Sequence, residues 1–171
     1  MIHALLSAIA LAAVMTTGDV LWDALHIRHR VANGLAHGAA MCLALGLSVG
    51  IRARKPLPAA VAGPLIGVTA AATFYVLWPS MRWGAMFAAW MLLWILFAIL
   101  QRRLDRREDL STALLRGSTA AVTSGVAFYL ISGIWTGEHG VSNPVLRLGY
   151  WTFAFVPGFV ALFFRRPAGG P

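Results

Sequence analysis

Charge is scarce in this chain. Of its 171 residues only 12% are Asp, Glu, Lys or Arg, where soluble globular chains carry about 25%. Acid is scarcer still, with six Asp and Glu against fourteen Lys and Arg. Cysteine is represented by Cys42 alone, inside an apolar run, which excludes an intramolecular disulfide and any CxxC redox or zinc motif. Strand-like alternation and long polar linkers are missing as well, so the sequence reads as one domain over 1–171. Together these shortages exclude a soluble enzyme, a disordered chain and a coiled coil.

What is present is apolar: 59% of the residues are hydrophobic and the mean hydropathy is +0.73. A helix needs roughly 20 apolar residues to cross the hydrocarbon core of a bilayer. Six such runs occur, at about 2–21, 31–51, 57–78, 83–100, 112–135 and 145–164, each bounded by charge, Pro or Gly. The fold class expected is therefore all-α, a polytopic bundle of six transmembrane helices. The first run lacks the Lys/Arg segment that opens a signal peptide and is read as a retained span. Asp109 or Ser111 is placed to cap the fifth helix, the Pro79–Arg82 segment to stop the third, and Pro64 and Pro157 to kink the third and sixth.

Orientation follows from the bases, because Lys and Arg near helix ends stay cytoplasmic. Arg52, Arg54 and Lys55, then Arg102, Arg103, Arg106, Arg107 and Arg116, then Arg165 and Arg166 fall on the side that holds both termini. Only Arg28, Arg30, Arg82 and Arg147 fall on the other. The expected topology is N-in and C-in, in a bacterial-type cytoplasmic (inner) membrane. The net charge of +8 is then accounted for by topology and by attraction to anionic headgroups, with no nucleic-acid partner called for. Residues 101–117 read as a solvated helical extension.

Small residues recur at four-residue spacing in three runs: Gly34, Gly38, Cys42, Gly46 and Gly50; Ala59, Gly63, Gly67 and Ala71; Gly117, Ala121 and Gly125. Such ridges allow close helix approach in lipid, and they point to the second, third and fifth helices as the compact centre. Trp22, Tyr75, Trp78, Trp83, Trp135, Tyr150 and Trp151 fall near the non-cytoplasmic ends, as in an interfacial aromatic belt. Trp90 and Trp94, one turn apart in mid-helix, suit lipid contact, packing or a pocket wall.

The densest polar cluster runs from Asp19 to His37. Asp19, Asp23, His26, Arg30, Asn33 and His37 are spaced 4, 3, 4, 3, 4, a helical stripe that a hairpin near 26–31 must interrupt. Ionisable groups within or beside apolar spans usually face protein or a water-filled cavity, so Asp19, Asp23, Asn33 and His37 are candidate ligand or proton-pathway residues. Glu138, from the fifth connection on the same side, joins them. Three readings compete: structural pairing of Asp19 and Asp23 with Arg28, Arg30 or Arg147; a pathway or pocket for a small polar or amphipathic ligand; and a metal or haem site using His26, His29, His37 and His139. The stretch Asp23-Ala24-Leu25-His26 with His29-Arg30 and His37-Gly38 partly resembles the opening of the membrane-bound metal-dependent hydrolases. That family's Thr-His-Ser element and its later His and Asp have no counterpart here. The resemblance implies the alternative function, a metal-dependent membrane hydrolase. The leading expectation needs no cofactor: a ligand-binding or transport protein, or a subunit of a larger membrane complex. The partners foreseen are the lipid bilayer, a second copy or complex subunits, and a small-molecule or lipid ligand.

Overall fold

In a computed structural model the residues described are 1–26, 29–105, 109–131 and 143–164, without the side chains of Trp22 and Asp23. Chains in lipid must satisfy their backbone polar groups internally, which leaves the helix as the solution for runs of this length. The described residues form six: α1 (Ile2–Leu25), α2 (Arg30–Arg52), α3 (Pro56–Met81), α4 (Gly84–Asp105), α5 (Leu110–Ile131) and α6 (Pro144–Phe163). All six contain stretches long and apolar enough to cross a membrane. Helices adjacent in sequence pack side by side, α6 returns onto α1, and α4 additionally reaches α2 and α6, so the ring is filled from the α4 side.

Helix ends differ from the expected spans in instructive ways. α1 continues to Leu25 and stops where His26 adopts a left-handed conformation, φ 51° and ψ 36°. α3 runs through Pro79, which was expected to stop it, and ends at Arg82 with φ 50°. A proline in the last turn forfeits one backbone hydrogen bond without blocking that turn. α4 extends past residue 100 to Asp105, and that extension is not wholly solvated because Gln101 and Leu104 are buried. α5 starts at Leu110 behind Asp109, whose carboxylate accepts from the Ser111 and Thr112 side chains and from the Thr112 N–H. This is the cap foreseen at Asp109.

The small-residue ridges do bring backbones together, but with a different pairing from the one expected. A Cβ on Gly38 would lie 2.9 Å from Gly67 O, and one on Gly46 2.5 Å from Ala59 O; Cβ atoms on Gly63 and Gly67 would run into the carbonyls of Cys42 and Gly38. α2 and α3 therefore touch backbone to backbone along most of their length. α5 does not join them. A Cβ on its Gly117 would lie 2.8 Å from Ile95 Cα and 3.0 Å from Ala98 Cβ on α4, and Gly125 faces Phe87 and Trp90. A small-residue ridge marks a face that admits close approach but carries no address for the partner.

The turns rich in Arg and Lys converge at one end of the bundle and satisfy helix C-termini there. Lys55 Nζ donates to Leu104 O at 2.9 Å, Arg52 Nη2 to Phe163 O at 3.2 Å and Arg116 Nη1 to Phe164 O at 3.5 Å. Cations at these carbonyls also complement the negative ends of α4 and α6.

Two outcomes follow from this packing. Gly67→Ala should lower stability in detergent by about 1–3 kcal/mol through overpacking. Gly149→Ala, where a Cβ meets nothing within 4 Å, should leave it unchanged or raised; paired thermal unfolding curves decide. The hydrogen bonds from Ser111 and then Thr112 hold the exposed Asp109 carboxyl down from 3.8 to about 2. Its support of α5 is then complete above the ordinary carboxylate pKa and disappears as pH falls through about 2. A carboxyl NMR titration of Asp109 checks this, and a midpoint near 4 would contradict it.

Candidate functional site

The end opposite the basic turns holds Asp19, one residue after Gly18 in α1. Gly18 lacks a side chain where the His37 ring of α2 sits: an added Cβ would lie 2.7 Å from Cε1 and 2.8 Å from Nδ1. On that seat His37 Nε2 donates to Met15 Sδ at 3.1 Å, and the Asp19 carboxylate acts on the ring electrostatically. From the other side α6 contributes two residues one turn apart. Trp151 Nε1 donates to Asp19 Oδ2 at 3.1 Å, and Arg147 Nη1 stands 4.0 Å from the same oxygen. The Asp19 side chain keeps 28% of its surface and Arg147 20%. One carboxylate, one imidazole and one guanidinium thus meet at the seam of α1, α2 and α6, partly open to the outside of the bundle.

Trp151 is also part of a packed aromatic block. Trp90, Phe128, Trp151 and Phe155 form a closed quartet, each ring stacked on two others with centroids 5.2–5.6 Å apart and interplanar angles of 9–25°. Trp90 Nε1 donates to Ser124 Oγ at 3.1 Å, and that hydroxyl donates to Ala154 O at 2.7 Å, joining α4, α5 and α6 through one buried serine. Trp90 and Trp94 are 6% and 0% exposed, which excludes lipid contact for both. Trp94 lies against Gly158, where any Cβ would collide with the indole. The indole of Trp151, assigned above to an interfacial belt, also holds Asp19.

Of the residues singled out from sequence, Asp19 and His37 come together. Asn33 lies a turn before His37, half-buried, with its backbone N–H on His29 O at 2.9 Å. His26 is exposed, its Nδ1 3.1 Å from Ala24 O, and His29 is exposed at the start of α2. The Asp23 side chain, Glu138 and His139 lie outside the described residues. Among the described residues no group of three or more His, Cys, Asp or Glu side chains is placed to hold a metal ion. Of the pairings weighed for Asp19, the one formed among the described residues is with Arg147; Arg28 lies outside them. Sequence reasoning missed Gly18, Met15 and Trp151; the signal available was the i, i+4 placement of Arg147 and Trp151 on one helix face.

No family model matches the chain, and no curated protein or solved structure is similar to it.

Trp151 has two separable roles. Trp151→Phe keeps the stack but removes the donor to Asp19, and should cost about 1 kcal/mol. Trp151→Ala breaks the quartet too and should cost about 3 kcal/mol or more. Equal losses in detergent unfolding would mean that the hydrogen bond, rather than the ring, carries the residue.

Proposed function

We propose that this chain is an integral protein of a bacterial-type cytoplasmic membrane, with both termini cytoplasmic, that binds or passes a small polar or amphipathic ligand through a pocket opening on the non-cytoplasmic side. Asp19 and His37 are the exchanging groups, Arg147 and Trp151 position the carboxylate, and Asp23 lies one turn further toward the water. The observation that carries this reading is the Asp19 carboxylate itself. It sits inside an otherwise apolar stretch, where a charge is expensive, yet among the described residues it is neither sealed nor tightly paired: its guanidinium partner there is 4.0 Å away and more than a quarter of the side chain is accessible. A carboxylate held this loosely can trade its cation for a ligand's amine, or for a proton passed to His37.

The test extracts the protein into lipid nanodiscs without prior detergent and identifies co-purifying small molecules by native mass spectrometry. Asp19→Asn retains an acceptor for Trp151 Nε1 and removes the charge. The expected outcome is a bound species whose occupancy falls at least tenfold, or about 1.4 kcal/mol, in Asp19→Asn and in His37→Ala while the unfolding temperature holds. Substitutions that only lower thermal stability, with no bound species and no proton uptake by proteoliposomes carrying a pH-sensitive dye, would overturn the reading and leave the cluster as a structural pairing.

A further inference from the structure

A cavity lies at the basic end of the bundle, away from Asp19. It is a cleft of about 610 Å³ between α1, the last turns of α2, and the end of α6, within the 300–1,000 Å³ range of small-ligand sites. Its polar wall consists of His3 and Ser7 from α1, Ser48 and Arg52 from α2, and Arg54 just beyond; among the described residues none that lines it is acidic. Arg52 is held in place, with Nη2 on Phe163 O at 3.2 Å and Cζ 4.8 Å over the Phe163 ring. Arg54 is exposed, presented by a backbone in the left-handed region at φ 56°. α1 begins beside this wall with no side-chain cap on its first turn, so the positive end of its dipole lies at the same end of the bundle. The rest of the lining is apolar: Leu6 and Ile51 are 57% and 68% exposed, and Ala10 continues the strip along α1.

We propose that this cleft binds the headgroup of an anionic phospholipid, its phosphate among Arg54, Arg52 and His3 and one acyl chain along Leu6 and Ala10. A free phosphate would use the cationic wall but leave the apolar strip empty. A zwitterionic lipid would fill the strip but bring its own cation to a wall of three basic residues. Only an amphiphile with net negative charge uses both surfaces. Basic pockets between membrane helices are suited to such headgroups, at about 1 kcal/mol per Lys or Arg near the surface.

The experiment titrates the purified protein in neutral detergent with phosphatidylglycerol, with phosphatidylcholine of the same acyl chains, and with inorganic phosphate, reading bound lipid by native mass spectrometry. Arg54→Gly removes the charge at a position whose backbone favours glycine, so stability should hold or rise. Arg54→Gln repeats the measurement with the side-chain length kept. Arg103→Gln, an exposed base at the same end that does not line the cleft, is the control. The expected result is preferential phosphatidylglycerol binding, weakened about fivefold in both Arg54 variants, unchanged in Arg103→Gln and not displaced by equimolar phosphate. Equal binding of the two lipids, an equal loss in Arg103→Gln, or displacement by phosphate would each overturn the proposal.

Discussion

Backbone contact between α2 and α3 is the constraint from which the rest of this bundle is arranged. Lipid tails are as apolar as leucine, so burying one apolar helix against another gains little from the hydrophobic effect, and packing has to come from close fit. Glycines at 38, 46, 63 and 67 allow that fit, each facing a carbonyl of the other helix. The two ends are pinned as well: Tyr75 lies over Gly34 with its hydroxyl donating to Arg30 O at 2.6 Å, and Gly50 packs on Ala59 and the Lys55–Pro56 turn. α2 and α3 consequently behave as one unit, and the remaining helices must find their partners elsewhere.

They do so through aromatic rings. The quartet of Trp90, Phe128, Trp151 and Phe155 joins α4, α5 and α6, and Ser124 hydrogen-bonds across the same three helices. α1 belongs to this second unit because it packs extensively on α6 and only thinly on α2. The Asp19 cluster therefore falls where the two units meet. His37 arrives from the glycine-packed pair, Arg147 and Trp151 from the aromatic block, and Asp19 from the helix between them. The cleft lined by His3, Ser48 and Arg52 lies along that α1–α2 seam, toward the opposite end, where the two helices pack only thinly.

The six helices were legible in the sequence because run length and bounding charge are local properties of a chain in lipid. Asp109 was legible as a cap for the same reason, since a cap is decided within three residues. Partner choice was not. The ridge on α5 has the same spacing as those on α2 and α3, yet it packs on Ile95 and Ala98 of α4, and spacing holds no information about which surface will complement it. Trp151 was read as an interfacial residue because indoles at that depth commonly are. Its partner Asp19 lies 132 positions away, and only the return of α6 onto α1 joins them.

In a chain with so few charges, the position of each one is informative. The bases at the turn-rich end have evident structural work, closing the carbonyl ends of α4 and α6 from Lys55, Arg52 and Arg116. Asp19 is different. It falls within the apolar stretch of α1, two residues from its Leu21 end, where an ionisable group still carries a desolvation cost. One hydrogen bond from Trp151 and one guanidinium at 4.0 Å offset part of that. Replacing an ion pair in such a setting by apolar groups of similar volume is often neutral or stabilising, so packing alone supplies no reason for a carboxylate at this point. Under the proposed function, its usefulness comes from what a partly exposed charge can exchange with a ligand or a proton at the seam.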